Sequence, residues 1–150
     1  MKLNLGSGFR SMVGYQNIDI QARCNPDLVC DVTDGLPYDE SSIDEVRAWD
    51  FLEHIPLGKT VNVIEEIWRV LKPGGLFESY TPDAEYGQGA FQDPTHVSFW
   101  VENSWLYYSH PAYRDLYGIR AEFYPIDMKR IATDEEGRVY HLHVKATAKK

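Results

Sequence analysis

Two short stretches of this sequence hold side chains that could accept or donate a proton. The first is Asp50-Phe-Leu-Glu-His54-Ile-Pro and the second is Gln92-Asp-Pro-Thr-His-Val97. His54 and His96 are of the type that titrates near neutrality, so each is a candidate general base. Asp93 stands three residues before His96, and Pro94 stiffens the loop between them. His54 has an equal claim to a packing and hydrogen-bonding role at a helix start. An Asp-x-x-His pair also offers two metal ligands, which is too few to specify a site, and no metal is assigned. His141 and His143 share one strand face and read as solvated polar positions.

A second set of residues has the chemistry of a nucleotide pocket. Leu3-Asn4-Leu5 runs into Gly6-Ser7-Gly8, where glycines let the backbone turn and approach a ligand closely. The fingerprint GxGxxG is incomplete, because position 11 is Ser. Asp19 closes the next apolar stretch, beside Ile20, and Asp31 closes the one after, beside Val32. In an open α/β sheet, ligands sit beyond the carboxyl ends of the strands. A carboxylate there can accept both hydroxyls of a ribose or the exocyclic amine of an adenine. Gly58-Lys59-Thr60 resembles the end of a phosphate loop, but that loop needs Gly where Glu53 stands. Thr60 is read instead as lying near a helix cap.

These residues need elements to position them. Lys2–Leu5, 15–20, 27–32, 45–50 and 76–81 read as strands. Val61, Ile64, Ile67, Trp68 and Leu71 recur at helical spacing, and Pro73-Gly74-Gly75 stops that helix. A short helix is expected near Glu102–Tyr108, followed by an extended segment over 119–131. Residues 139–146 alternate apolar and polar, which argues for a half-buried strand paired antiparallel with that segment. The connection between Gly8 and Tyr15 is too short for a crossover helix. The whole reads as one domain over residues 1–150, an α/β Rossmann-like mostly parallel sheet with a C-terminal antiparallel hairpin and shortened early crossovers.

The ordered set LNLGSG, NIDI, DGLPYDESSIDEV, FLEHIP and EEIWRVLKPGGLF resembles the class I S-adenosylmethionine (SAM) dependent methyltransferases. It resembles most the branch with an LEHI segment after strand four and a helix ending RVLKPGG. The resemblance covers residues 3–83 and implies SAM as cofactor and methyl transfer as the reaction. It implies that Gly6, Ser7 and Gly8 shape the loop beneath the cofactor and that Asp19, with Ile20 beside it, holds the ribose. Asp31 and Val32 would flank the adenine, and Asp50 would face the methionine portion. His54, Asp93 and His96 would then be the catalytic candidates near the acceptor. The chain departs from the family at Asn4, where an acidic residue is usual, at the third glycine, and at the missing first helix. A non-catalytic SAM-binding or regulatory module on the same fold is therefore a second reading.

Composition narrows the partners. The net charge is −8 and no basic run precedes Lys149-Lys150, which argues against a nucleic-acid substrate. Trp49-Asp50-Phe51-Leu52 also differs from the Asp/Asn-Pro-Pro-aromatic signature of DNA amino-methyltransferases. Cys24 and Cys30 match neither CxxC nor a zinc pattern, and read as reduced thiols. No apolar run is long enough for a membrane span, so the expected location is the cytoplasm. The DPTH segment resembles one in some methyltransferases of sugars or surface polysaccharides, some of which use a divalent ion. A small-molecule or glycan acceptor is expected. Residues 84–118 hold five of the ten Tyr and two of the four Trp. That clustering suits a substrate lid, a satellite core or a homodimer surface.

Overall fold

The computed structural model describes all 150 residues. Its strands are β1 (Lys2–Leu5), β2 (Gln16–Asp19), β3 (Leu28–Val29), β4 (Ile43–Trp49), β5 (Leu71–Gly87), β6 (Phe123–Ala132) and β7 (Val139–Ala148). They form one seven-stranded sheet in the order β3-β2-β1-β4-β5-β7-β6. Strands β1 to β5 pair in parallel, while β7 runs antiparallel to both β5 and β6. The chain reverses its direction of sheet growth between β1 and β4, and that reversal opens a crevice at the strand carboxyl ends.

Register puts the apolar residues on one face. Leu3 lies opposite Val46, Val46 opposite Phe77, and Phe77 opposite Ala146. All four are fully buried. Helix α1 (Thr60–Val70) covers this face with Val63, Ile64, Ile67 and Val70. Each such side chain contributes about 1.5–3 kcal/mol of burial. Of the expected stripe, Ile64 and Ile67 are buried here, whereas Val61 is exposed, Trp68 is only partly buried and Leu71 already begins β5. Trp100, Trp105, Tyr108 and Phe123 join the same apolar cluster, with the Trp105 ring 5.8 Å from Phe77. The other face is polar and pairs with itself. Arg47 and Lys145 lie 3.4 and 3.6 Å from Glu78, and His143 Nε2 is 2.8 Å from it. His141 is likewise held, against Asp50 and flat on Tyr80. These two histidines are thus engaged with carboxylates rather than simply solvated.

Several elements differ in extent from their expected ranges. The third strand shrinks to two residues, because it is an edge that meets only β2, at Ile18 and Asp19. Asp31 then turns the chain by accepting from the Thr33 N–H at 2.9 Å. Strand β5 is longer than its apolar run, since β4 and β7 hydrogen-bond it from both sides. Thr60 lies beside the N-cap residue Lys59, near the cap as expected: it is the first helical residue, and its hydroxyl donates back to the Leu57 carbonyl. The segment 84–118 adds two short helices, α2 (Gly89–Gln92) and α3 (Pro111–Tyr117), on either side of the helical turn at Glu102–Tyr108.

Candidate functional site

A cavity of about 670 Å³ opens at the carboxyl ends of β1, β2 and β4. Gly6, Gly8, Asp19, Ile20, Asp31, Val32, Asp50 and His54 all line it. The topology brings them together, since each follows a strand that ends on the same edge of the sheet. Gly6 and Gly8 both take left-handed backbone angles, φ +63° and +50°. A Cβ on Gly8 would meet nothing within 4 Å, so its backbone faces open cavity. Asp19 organises this rim: its carboxylate accepts from the Gly8 N–H at 2.8 Å and the Gln21 N–H at 2.7 Å. Asp50 also has a left-handed backbone, φ +47°, which swings its carboxylate out of the strand. His141 Nε2 reaches that carboxylate at 3.0 Å and Arg10 at 3.6 Å.

Ser7 is the exception among the glycine-loop residues. Its backbone N–H donates to the Ile18 carbonyl, and its buried hydroxyl has no hydrogen-bond partner and lies outside the cavity lining. Asp93 and His96 also stand behind the wall rather than in it. They connect to the cavity through Thr95, which lines it and lies 3.3–3.4 Å from His54 Nδ1. The His54 and His96 rings meet edge to face, 5.0 Å apart. His96 is nearly buried, its Nδ1 is 3.0 Å from the Ala90 carbonyl, and its Nε2 is 3.7 Å from Asp93. A carbonyl can only accept, so the Nδ1 proton is fixed there and Nε2 keeps a free lone pair. Asp93 accepts from both the hydroxyl and the N–H of Thr95, which holds its carboxyl below its ordinary range.

Glu53 is the residue that sequence reasoning passed over. It sits on the helical turn Leu52–His54 and is 2% exposed. Its backbone carbonyl accepts from the N–H groups of Val97 and Ser98, at 2.8 and 3.0 Å, which straps loop 93–98 over it. Neither carboxylate oxygen has a hydrogen-bond partner. Burial pushes the Glu53 carboxyl up to about 8, and the charges of Asp50 and Asp93 push the same way. The only signal available was its place between Asp50 and His54, which carries no burial information.

A second cavity of about 530 Å³ lies on the far side of Leu57, lined by Val61, Phe99, Trp100, Tyr107 and Tyr117 among others. It presents hydroxyls but no carboxylate or imidazole.

A methyltransferase-domain family model matches residues 11–78 of the chain. The match spans Asp19, Asp31 and Asp50 of the cavity lining and the LKPGG segment at the start of β5, while Gly6 and Gly8 precede it. Over residues 11–78 the chain is similar to a methyltransferase domain. Solved structures agree in fold. A SAM-dependent methyltransferase from Archaeoglobus fulgidus superposes with a TM-score of 0.73 at 13% identity, covering 97% of this chain and 85% of that one. The Burkholderia thailandensis 1,6-didemethyltoxoflavin-N1-methyltransferase, solved with its substrate and S-adenosylhomocysteine, superposes at 0.66 with 16% identity, covering 99% and 71%. A chain from the Haloferax volcanii complex of the Trm112 methyltransferase activator with a methyltransferase superposes at 0.63 with 19% identity, covering 99% and 82%. No curated protein matches the chain significantly. The cavity suits SAM: two carboxylates, an open glycine and the apolar Ile20 and Val32 match the polar and planar parts of a nucleoside. No helix of the domain is long and apolar enough to cross a membrane.

Proposed function

We propose that this domain transfers the methyl group of SAM to an oxygen or nitrogen atom of a small-molecule or glycan acceptor in the cytoplasm. The observation that carries the reading is the continuity of the main cavity. One cavity is lined both by the carboxylates assigned here to the nucleoside and by His54 and Thr95, which lead to the Glu53–His96–Asp93 cluster. When bound, SAM supplies an electrophilic methyl on a sulfonium, and its sulfur keeps the bonding pair as S-adenosylhomocysteine forms. Asp19 takes the ribose hydroxyls with the lone pairs left free by Gly8 and Gln21, and Asp31 takes the adenine amine. Ile20 and Val32 flank the ring. Asp50, steadied by His141 and Arg10, faces the methionine portion.

The imidazoles act on the acceptor. His54 Nε2 or, after a turn of loop 93–98, His96 Nε2 takes the acceptor's proton as its lone pair forms the new bond to carbon. Asp93 beside His96 stabilises the imidazolium. Holding the acceptor atom in line supplies much of the rate. The exposed Phe91 and Phe99 rings, stacked 5.0 Å apart, lie outside the main cavity and offer a contact with a second copy.

The test is transfer of labelled methyl from SAM to a panel of hydroxyl and amine acceptors. Substituting His96→Ala lowers kcat by about 10²–10⁴-fold, with affinity for S-adenosylhomocysteine unchanged. An unchanged kcat would remove His96 from the chemistry, and no acceptor in the panel being methylated would count against the acceptor class.

A further inference from the structure

Glu53, His54 and His96 converge from two different loops. One ring nitrogen from each histidine and a Glu53 carboxylate oxygen all lie within 4.8 Å of one another. We propose that these three side chains form a binding site for a divalent first-row transition metal, such as zinc. A buried carboxylate with neither oxygen hydrogen-bonded is the first argument. Native proteins rarely leave such a group unpaired, and a bound cation satisfies it. The orientation of the imidazoles is the second. Both Nδ1 atoms face backbone carbonyls, His54 that of Thr95 at 3.3 Å and His96 that of Ala90 at 3.0 Å. Metal-binding histidines usually donate their second N–H to a carbonyl or carboxylate in this way, which fixes the ring and frees the other nitrogen.

The ligand set decides the metal. Two imidazoles and one carboxylate suit zinc and its neighbours, whereas magnesium and calcium prefer all-oxygen sites. A tetrahedral ion with bonds of about 2.1 Å sets its ligands roughly 3.4 Å apart. Ligand atoms up to 4.8 Å apart must therefore draw in by up to about 1.4 Å when the ion binds. Asp93 lies at the rim of the cluster, where it can hold a water on the ion. His54 lines the main cavity, so the remaining coordination position faces the space proposed for the acceptor. There the ion, which occupies the imidazole lone pairs, replaces the histidines in the proton step: it binds an acceptor hydroxyl and lowers its pKa, so that the proton passes to Asp93 or to solvent before methyl transfer. Only that last role rests on the proposed function; the metal site itself does not.

The experiment titrates the chelator-stripped full chain with Co²⁺ and follows the visible ligand-field bands, then with Zn²⁺ by calorimetry. The expected result is one equivalent of either ion per chain, with Zn²⁺ displacing Co²⁺ and excess Mg²⁺ displacing neither. Loss of a supporting hydrogen bond alone weakens metal sites by about 10–100-fold, so His96→Ala and Glu53→Gln are each expected to weaken binding by at least that much. A His143→Ala variant keeps full metal affinity. Calorimetry with S-adenosylhomocysteine, run on every variant, reports folding and the cofactor pocket separately. Absence of Co²⁺ bands in the unaltered chain would overturn the site. So would binding that survives Glu53→Gln in a variant that still takes up S-adenosylhomocysteine.

Discussion

The Gly6 and Gly8 pair permits a perturbation whose two components separate. Both residues have positive φ, so an alanine at either costs about 1–2 kcal/mol in backbone strain. The surroundings differ. At Gly6 a new Cβ would overlap Phe51 Cδ2 and stand 3.0 Å from Cγ, while at Gly8 it would meet nothing within 4 Å. Forcing the half-buried Phe51 ring aside adds about 1–3 kcal/mol. Gly6→Ala is therefore expected to destabilise the domain by about 2–5 kcal/mol and Gly8→Ala by about 1–2 kcal/mol. At this chain length each kcal/mol moves Tm by about 2–4 °C. Urea unfolding of both variants, with and without Phe51→Ala, measures the clash: removing the ring should bring the cost of Gly6→Ala down to that of Gly8→Ala. Equal costs in the presence of Phe51 would refute the packing argument. Gly8→Ala should also weaken S-adenosylhomocysteine binding, because its methyl enters the cavity.

Two further outcomes follow from packing and charge. Trp105 is 1% exposed and its ring meets Phe77, Trp100 and Tyr108; Trp105→Ala should cost about 3–5 kcal/mol in urea unfolding. Glu66 binds Arg69 and the Leu36 N–H, and the Arg69 contact above all holds its carboxyl below its ordinary 4.5. A depressed carboxylate stabilises the fold above its unfolded pKa and loses that contribution as pH falls through the folded one. Glu66→Gln should thus cost about 1–2 kcal/mol at neutral pH, discounted for partial exposure. The difference from the unaltered chain should shrink below pH 4.5; a gap that stays constant with pH would contradict the assignment.

How much of this was legible in the sequence depends on the residue. The presence of α1 was readable from apolar residues at helical spacing, but only Ile64 and Ile67 of the expected stripe meet the sheet, and Val63 and Val70 complete the buried face. The hairpin was readable because Leu142, Val144 and Ala146 alternate with polar neighbours. The strand-end positions of Asp19, Asp31 and Asp50 were readable from the motif order, and the topology gathers them around one cavity. What sequence could not show was long-range pairing. The length of β5 depends on partners on both sides, and the engagement of His141 with Asp50 spans 91 positions. The burial of Glu53 was equally hidden, since it is loop 93–98 that covers it.

Titration calorimetry with S-adenosylhomocysteine, on the unaltered chain and on Asp19→Ala, tests the cofactor site most directly. Micromolar affinity corresponds to about −8 kcal/mol. Two charge-assisted hydrogen bonds to a ribose contribute about 3 kcal/mol or more together, so the substitution should weaken binding by about 100-fold or more. Circular dichroism of the variant must show the fold retained, because Asp19 also holds the Gly8 N–H. No heat with the unaltered chain, or equal affinity in the two proteins, would contradict the account.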